Sequence, residues 1–336
     1  MRTVKIAIDA TPLVGQASAC PVSGIARYTA ELARALQAQD QVTLVEPQAG
    51  RWWSWGLPRE LQRLKPDVFH GTDFAVPYRR VCPSVMTLHD LSPWMDPAWH
   101  CGAGRVRRRT PWLLRFGRAA MVITPTEAIR RQAIKHFRLD PDIVRAVPHA
   151  AADCFHPVNR PATADFFLAF GTLEPRKNIP RIIDAWRQIR GAELWLIGRK
   201  REDAPDLPDE PGLKWLGALS DAVLPEYLAG ARAVLYPSLY EGFGLPVLEA
   251  MQCGAAVIAS TDAAIQEVAD EGALYADPRR TDEWVAKMRA VLENRELAAA
   301  MRNRAITRAK MFSWTRTAAL TRAVYDEARS RCAGLF

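Results

Sequence analysis

The sequence predicts an α/β protein built as two doubly wound, parallel-sheet domains, and three observations carry that prediction. The chain has 336 residues, too long for one ordinary core and about right for two domains of roughly 150 residues each. Short apolar runs rich in Val and Ile alternate with longer segments of helical periodicity, the order that builds a parallel sheet with helices on both faces. The alternation breaks once, after Val147, and then restarts.

Val4 to Ile8 reads as a buried strand. Gly24 to Leu36 reads as a helix, with Ile25, Tyr28, Leu32 and Leu36 on one face. Val42 to Val45, Val68 to His70, Val85 to Leu88 and Met121 to Thr124 continue the strand series. From Val147 to Pro157 periodicity is lost, and with Pro161 to Asp165 this stretch reads as a linker. Phe166 to Phe170 opens a second series, continued by Leu194 to Ile197, Leu213 to Trp215, Ala233 to Tyr236 and Ala256 to Ala259. Pro246 suits the first turn of a helix that runs to about Cys253, with Gly254 as its stop. Trp314 to Ala333 is one long helical pattern whose partner domain periodicity does not decide. The expected boundaries are 1–160 and 161–315. Two such domains would face each other across a cleft, with ligands held by loops at the carboxyl ends of the strands.

Composition excludes several classes. Apolar residues make up 49% and charged residues 24%, which fits a folded globular chain rather than a disordered one. Cysteines at 20, 82, 101, 154, 253 and 332 form neither a CxxC pair nor a zinc-like spacing, so reduced thiols in a cytosolic protein are expected. The N-terminus lacks the apolar stretch of a signal peptide, and no apolar run approaches the roughly 18 residues of a membrane-spanning helix. A cytoplasmic location follows as the expectation. The net charge of +8 suits an anionic partner, although a basic excess is equally often just a solvated surface.

Two loops carry the chemistry. Glu241-Gly242-Phe243-Gly244-Leu245-Pro246-Val247-Leu248-Glu249 leaves a strand end and enters a helix. Its glycines let backbone approach a ligand, the helix start favours an anion such as a diphosphate, and carboxylates accept hydrogen bonds from vicinal hydroxyls. Read alone, the pair is more simply a capping carboxylate and a surface glutamate. Gly171-Thr172-Leu173-Glu174-Pro175-Arg176-Lys177-Asn178 follows another strand. Arg176 and Lys177 there suit a diphosphate leaving group, though adjacent cations on a loop are ordinarily only solvated. In the first half, Ser23-Gly24-Ile25-Ala26-Arg27-Tyr28 begins a helix whose N–H groups suit a phosphate, and His89-Asp90 ends a strand.

Together these segments, with Phe312-Ser313-Trp314, resemble the family-4 retaining glycosyltransferases of GT-B architecture, and bacterial mannosyl- or rhamnosyltransferases of surface-polysaccharide assembly in particular. The likeness covers nearly the whole chain and is most specific at Glu241 to Glu249. It implies that Arg176 and Lys177 hold the donor diphosphate, Glu249 binds the ribose and Glu241 lies beside the sugar. It further implies that Phe243, Gly244 and Leu245 contact phosphate or sugar, Gly24 closes over the phosphates and His89 lies near the donor sugar. It implies no metal and no other cofactor, GDP-mannose as the favoured donor, a glycan or lipid-linked acceptor, front-face substitution with retention, and a final helix (about 316–333) packed on the first domain. Ala26 and Ala150 stand where the family often has glycine; a methyl at Ala26 could shift the phosphate or the loop, but neither change touches a charged group, so activity is expected to survive.

From Pro97 to Thr126 there is no acid, while Arg105, Arg107, Arg108, Arg109, Arg115 and Arg118 alternate with Trp112 and other apolar residues. The stretch suits peripheral contact with the inner face of an anionic membrane through Arg105, Arg107, Arg108, Arg109, Trp112 and Arg115. The simpler reading is a solvated helix with one apolar face. Nucleic acid is not expected, because no nucleic-acid module is present. Asp9 to Gly15 lacks the glycine pattern of a nicotinamide enzyme. A sugar-nucleotide epimerase, a phosphorylase or a non-catalytic sugar-nucleotide binder remain as rivals on the same fold.

Overall fold

The structure is a computed structural model that describes residues 3–15, 23–48, 50–100, 102–158 and 165–335. Residues 161–164 of the expected linker, Cys20 and Cys101 lie outside the described residues. The chain divides into two units, Met1–His149 with Ser313–Phe336, and Ala150–Phe312. The first boundary therefore falls at 149/150 rather than at 160: Phe155 is fully buried in the second unit, and Gln252 donates to the carbonyls of Ala152 and Phe155.

The first unit holds six parallel strands, β1 (Lys5–Asp9), β2 (Gln41–Val45), β3 (Val68–Gly71), β4 (Ser84–Thr87), β5 (Met121–Thr124) and β6 (Val144–Ala146). Their order across the sheet is β2-β1-β3-β4-β5-β6. The chain thus leaves β1 in both directions, and the β1/β3 edge is the point where loops diverge and ligands enter such sheets. Helix Trp314–Arg331 belongs to this unit. Its Tyr325 hydroxyl lies 2.7 Å from His70 Nδ1, Arg145 pairs with Glu327 at 2.7 Å, and Thr317 donates to the Pro148 carbonyl.

The second unit repeats the plan with β7 (Phe166–Phe170), β8 (Glu193–Ile197), β9 (Leu213–Trp215), β10 (Ala233–Tyr236), β11 (Val257–Ser260) and β12 (Leu274–Ala276), in the order β12-β11-β10-β7-β8-β9. Alternate residues of β7 enter different cores, Phe166, Leu168 and Phe170 one, Phe167 and Ala169 the other. Both faces are therefore covered, which is why these strands read as unbroken apolar runs. The switch point lies between β7 and β10, and it sets the two chemistry-bearing loops side by side. The edge strands β6 and β12, three residues each, are not among the strands read from the sequence.

Candidate active site

At the carboxyl end of β7, residues Pro175–Lys177 form one tight turn, and Asn178 adopts φ +56° to start helix Ile179–Trp186. Asn178 Nδ2 donates to the carbonyl of Pro278 at 2.7 Å, which pins the turn. The turn directs Arg176 and Lys177 at the loop after β10, where Leu239 N donates to the Arg176 carbonyl at 2.9 Å. Gly244, at φ +83°, precedes helix Leu245–Gln252, and a Cβ there would meet Ile265 at 3.3 Å. Only glycine takes that conformation without strain.

Glu241 is the hub. Its Oε1 accepts from Lys177 Nζ at 2.6 Å, Ser238 Oγ at 2.5 Å and the Tyr236 hydroxyl at 3.0 Å. Its Oε2 lies 3.0 Å from Arg176 Nη1, and Arg176 Nη2 reaches Glu174, itself bridged to Arg201 at 2.7 Å. Lys177 also donates to the Tyr236 hydroxyl at 2.5 Å. Burial alone would raise the Glu241 carboxyl, but the Arg176 and Lys177 charges outweigh it and hold the group down at about 2. Lys177 moves down because burial removes more than Glu241 restores. Glu249 is buried within helix Leu245–Gln252, and after burial itself its charge helps push the Cys253 thiol up to about 12. Phe243 is buried against Phe312, with ring centroids 5.9 Å apart, and Leu245 is half-buried.

In the first unit, Ser23 caps helix Gly24–Leu36 by accepting from Ala26 N at 3.2 Å. The Ala26 side chain is fully buried. His89 Nε2 donates to the Thr72 carbonyl at 2.7 Å, and burial lowers its pKa. A neutral imidazole with its proton on Nε2 presents Nδ1 as an acceptor. The ring lies edge-on to Tyr28 at 5.0 Å and 5.5 Å from His149.

Residues 46–151 match the family described as Glycosyltransferase Family 4, and residues 154–308 match Glycosyl transferases group 1. The chain belongs to the family-4 glycosyltransferases. The glycosyltransferase is 30% identical over 340 residues to O-antigen chain mannosyltransferase B of Escherichia coli, covering 91% of this chain and 84% of that one. The solved sucrose-phosphate synthase of Thermosynechococcus elongatus shares its fold with a TM-score of 0.79 at 19% identity, covering 98% and 100% of the two chains. Anabaena HepE, solved in complex with UDP-glucose, gives a TM-score of 0.75 at 17% identity over 96% and 99%. The fold expected from sequence, GT-B with two Rossmann-like domains, is thus the fold observed.

The basic stretch of the glycosyltransferase divides by helical period. On helix Gly104–Arg115, Arg105, Arg108, Trp112 and Arg115 are exposed at spacings of three, four and three, and form one stripe. Arg107 turns inward to donate to the Pro93 carbonyl at 3.3 Å. Arg109 is half-buried with its guanidinium 5.0 Å from the Trp53 ring centroid. The six residues do not share a face, and Arg107 and Arg109 are withdrawn from the surface stripe. Among the described residues, no helix is long and apolar enough to cross a membrane.

Sequence reading missed Tyr236 and Ser238 as partners of Glu241. It also missed Asp262, which caps helix Ala263–Ala269 and is held near pKa 6 by burial, with the Glu241 charge adding to it. The Asp at the end of a strand before a helical run was the available signal. Nothing in the sequence signalled Tyr236, which reads as one more apolar strand residue.

Proposed function

We propose that this glycosyltransferase moves a mannosyl group, with retention, from GDP-mannose to a growing surface glycan of the O-antigen kind. The observation that carries the reading is the Arg176–Glu241–Lys177 cluster, set at the switch point of the second sheet where nucleotides bind in doubly wound folds. The likeness to an O-antigen mannosyltransferase supports the sugar, and a neighbour solved with UDP-glucose supports a nucleotide-sugar donor.

A donor diphosphate entering this loop pair competes with Glu241 for Arg176 and Lys177. Both cations then face charge that grows on the leaving phosphate, an interaction stronger in the transition state than in the ground state. The released Glu241 carboxylate accepts from sugar hydroxyls. Glu249 serves as the ribose anchor, and the backbone of Phe243, Gly244 and Leu245 lies along the phosphates. The leaving phosphate accepts the acceptor's proton in a front-face substitution. The Gly24 helix start covers the phosphates, and His89 accepts a hydroxyl of the sugar through Nδ1. No metal is required on this reading, because the two cations neutralise the diphosphate. Incubating the purified chain with a panel of nucleotide sugars and following nucleotide release tests it. GDP-mannose turnover undiminished by EDTA supports the proposal, and turnover of another donor alone replaces the sugar assignment.

We also propose that the Arg105–Arg108–Trp112–Arg115 stripe docks on an anionic lipid surface, which would hold the cytoplasmic face of a membrane near a lipid-linked acceptor. Flotation with anionic vesicles tests this directly.

A further inference from the structure

Tyr236 ends β10 and is 1% exposed, yet its hydroxyl lies inside the charged cluster. Lys177 Nζ approaches that oxygen at 2.5 Å, and Glu241 Oε1 lies 3.0 Å from it. The neighbours fix the direction of both bonds. An ammonium only donates and an ionised carboxylate only accepts, so the phenol oxygen accepts from Lys177 and its proton points to Glu241. The 2.6 Å contact between Lys177 and Glu241 closes the three groups into a triangle. Burial, with the Glu241 charge beside it, pushes the phenol pKa well above its ordinary value, so the group stays a neutral dipole.

The two partners of Lys177 differ in what holds them. Tyr236 is set in the sheet opposite Ala259 of β11, and its ring packs in the core that also takes Leu168 and Val257. Strand pairing and close packing together keep such a side chain in place. Glu241 stands on the loop between β10 and helix Leu245–Gln252, and its carboxylate is an anion that another anion replaces. A donor diphosphate at this loop pair therefore displaces the carboxylate and not the phenol. The ammonium keeps the phenol oxygen and the Tyr236 ring, whose centroid is 4.8 Å from Nζ. The phenol proton loses its carboxylate at a position closed to solvent, and a buried donor left unmade is penalised by its desolvation. The exchange is favourable when the incoming oxygen accepts from both Lys177 and Tyr236.

Lys177 needs a partner that stays, because its charge is costly where it sits. Burial lowers its pKa, Glu241 and Glu174 act against that fall, and Arg176 adds to it. Glu174 is already shared by Arg176 and Arg201, at 2.7 Å each. Glu241 is the larger of the two opposing charges, and it is the one the exchange removes. A fixed neutral oxygen holds the ammonium protonated and in place through that exchange. We infer that Tyr236 is a positioning residue for Lys177: its phenol oxygen is the fixed partner of the ammonium while Glu241 is exchanged for the donor diphosphate, and its hydrogen bond turns from the carboxylate to the phosphate. That role rests on the transferase reading for the identity of the anion, whereas the link from Tyr236 to Lys177 does not.

Lysine-selective NMR on the full chain tests the link, with the Lys177 Nζ signal assigned by its loss in Lys177→Ala. Tyr236→Phe removes the oxygen and keeps the ring. It lowers the Lys177 pKa by about one unit, as for a lost hydrogen bond to a charged group. Ser238→Ala takes a donor from Glu241 and nothing from Lys177, so it leaves the Lys177 titration at the wild-type pH. The wild-type chain grown on 3-fluorotyrosine, whose phenol oxygen accepts more weakly, shifts in the same direction and serves where Tyr236→Phe does not fold. Calorimetry with GDP tests the role. Tyr236→Phe weakens GDP binding by about tenfold, and the loss of binding at alkaline pH sets in at lower pH, in step with the Lys177 titration. A core residue with no part in the exchange moves neither the titration nor that limb. A Lys177 titration unmoved by the folded Tyr236→Phe, or by fluorotyrosine where that variant does not fold, overturns the link, and so does an equal shift in Ser238→Ala. A moved titration with GDP affinity unchanged at every pH overturns the role in the exchange. A wild type that binds no GDP counts against the transferase reading, and the titration still decides the link.

Discussion

Lys177 Nζ lies 2.6 Å from Glu241 Oε1, and the two residues are 64 positions apart in the chain. The side chains are only 12% and 9% exposed. One comes from the loop after β7 and the other from the loop after β10, so the contact spans the switch point of the sheet. A buried ion pair is weak grounds for stability, since desolvation offsets most of the Coulomb gain. A pair poised to be exchanged for a phosphate accounts better for its position.

Lys177→Ala tests this at the chemical step. The proposed role is neutralising charge that grows on the leaving phosphate, and removing one such donor typically lowers kcat by about 10²–10³-fold. Glu241 keeps Ser238, Tyr236 and Arg176, so the fold persists. Stopped nucleotide-release assays beside far-UV circular dichroism measure both. Near-normal turnover with any donor removes Lys177 from the site.

Glu241→Gln acts on the other partner and should be destabilising, because it leaves buried cations without their anion. Breaking such a pair costs roughly 3–5 kcal/mol, and since Arg176 retains Glu174, the low end applies. That corresponds to a Tm loss of about 6–12 °C for a unit of this size. GDP supplies an anion in its place, so it should raise the Tm of the variant more than that of the wild type. The pH dependence has a definite sign. The folded carboxyl titrates near 2 and the ordinary value is 4.5, so its stabilisation is present above about 4.5 and lost as pH falls towards 2. The Tm difference between wild type and variant should therefore shrink over that window in calorimetry, and a difference constant with pH speaks against the ion pair.

Most of the site's parts were legible and its connections were not. Arg176, Lys177 and Glu241 stand out because charges at strand ends in an apolar sequence need a reason. That both cations meet Glu241 depends on the strand order β10-β7, which no local pattern encodes. The same holds in the first unit. Asp9 reads only as the end of a strand, and Arg109 as one of a row of surface cations, although the one is buried and the other lies half-buried against Trp53. Helix Gly24–Leu36 was read to the residue because a serine cap and a clean apolar face mark it, whereas Trp52–Gly56 coils into a wide turn that no periodicity announces.

The exposed stripe on helix Gly104–Arg115 predicts salt-dependent vesicle binding. At about 1 kcal/mol per cation near an anionic surface, changing Arg105, Arg108 and Arg115 to Gln together should weaken binding by roughly 100-fold, by the ordinary conversion of free energy to affinity. Arg107→Gln should have little effect on vesicle binding, since that side chain is committed to the Pro93 carbonyl. Flotation at low and high salt measures both, and equal loss for the inward and outward arginines rejects the stripe.

Asp9→Asn makes the last prediction, and its sign is opposite to that for Glu241. Burial raises the Asp9 carboxyl from 3.8 to about 6, against the hydrogen bonds of Thr11 on its own loop, with Asp73 from the loop after β3 adding to the rise and Arg109 from the facing helix opposing it. The folded state therefore holds this proton more tightly than the unfolded chain, and stability falls as pH rises from about 4 to 6. Two pH units correspond to about 3 kcal/mol. The amide carries no charge to desolvate, so the variant should melt at the wild-type temperature near pH 4 and several degrees above it at pH 8. A variant less stable than the wild type at pH 8 would assign Asp9 to the architecture of β1 instead.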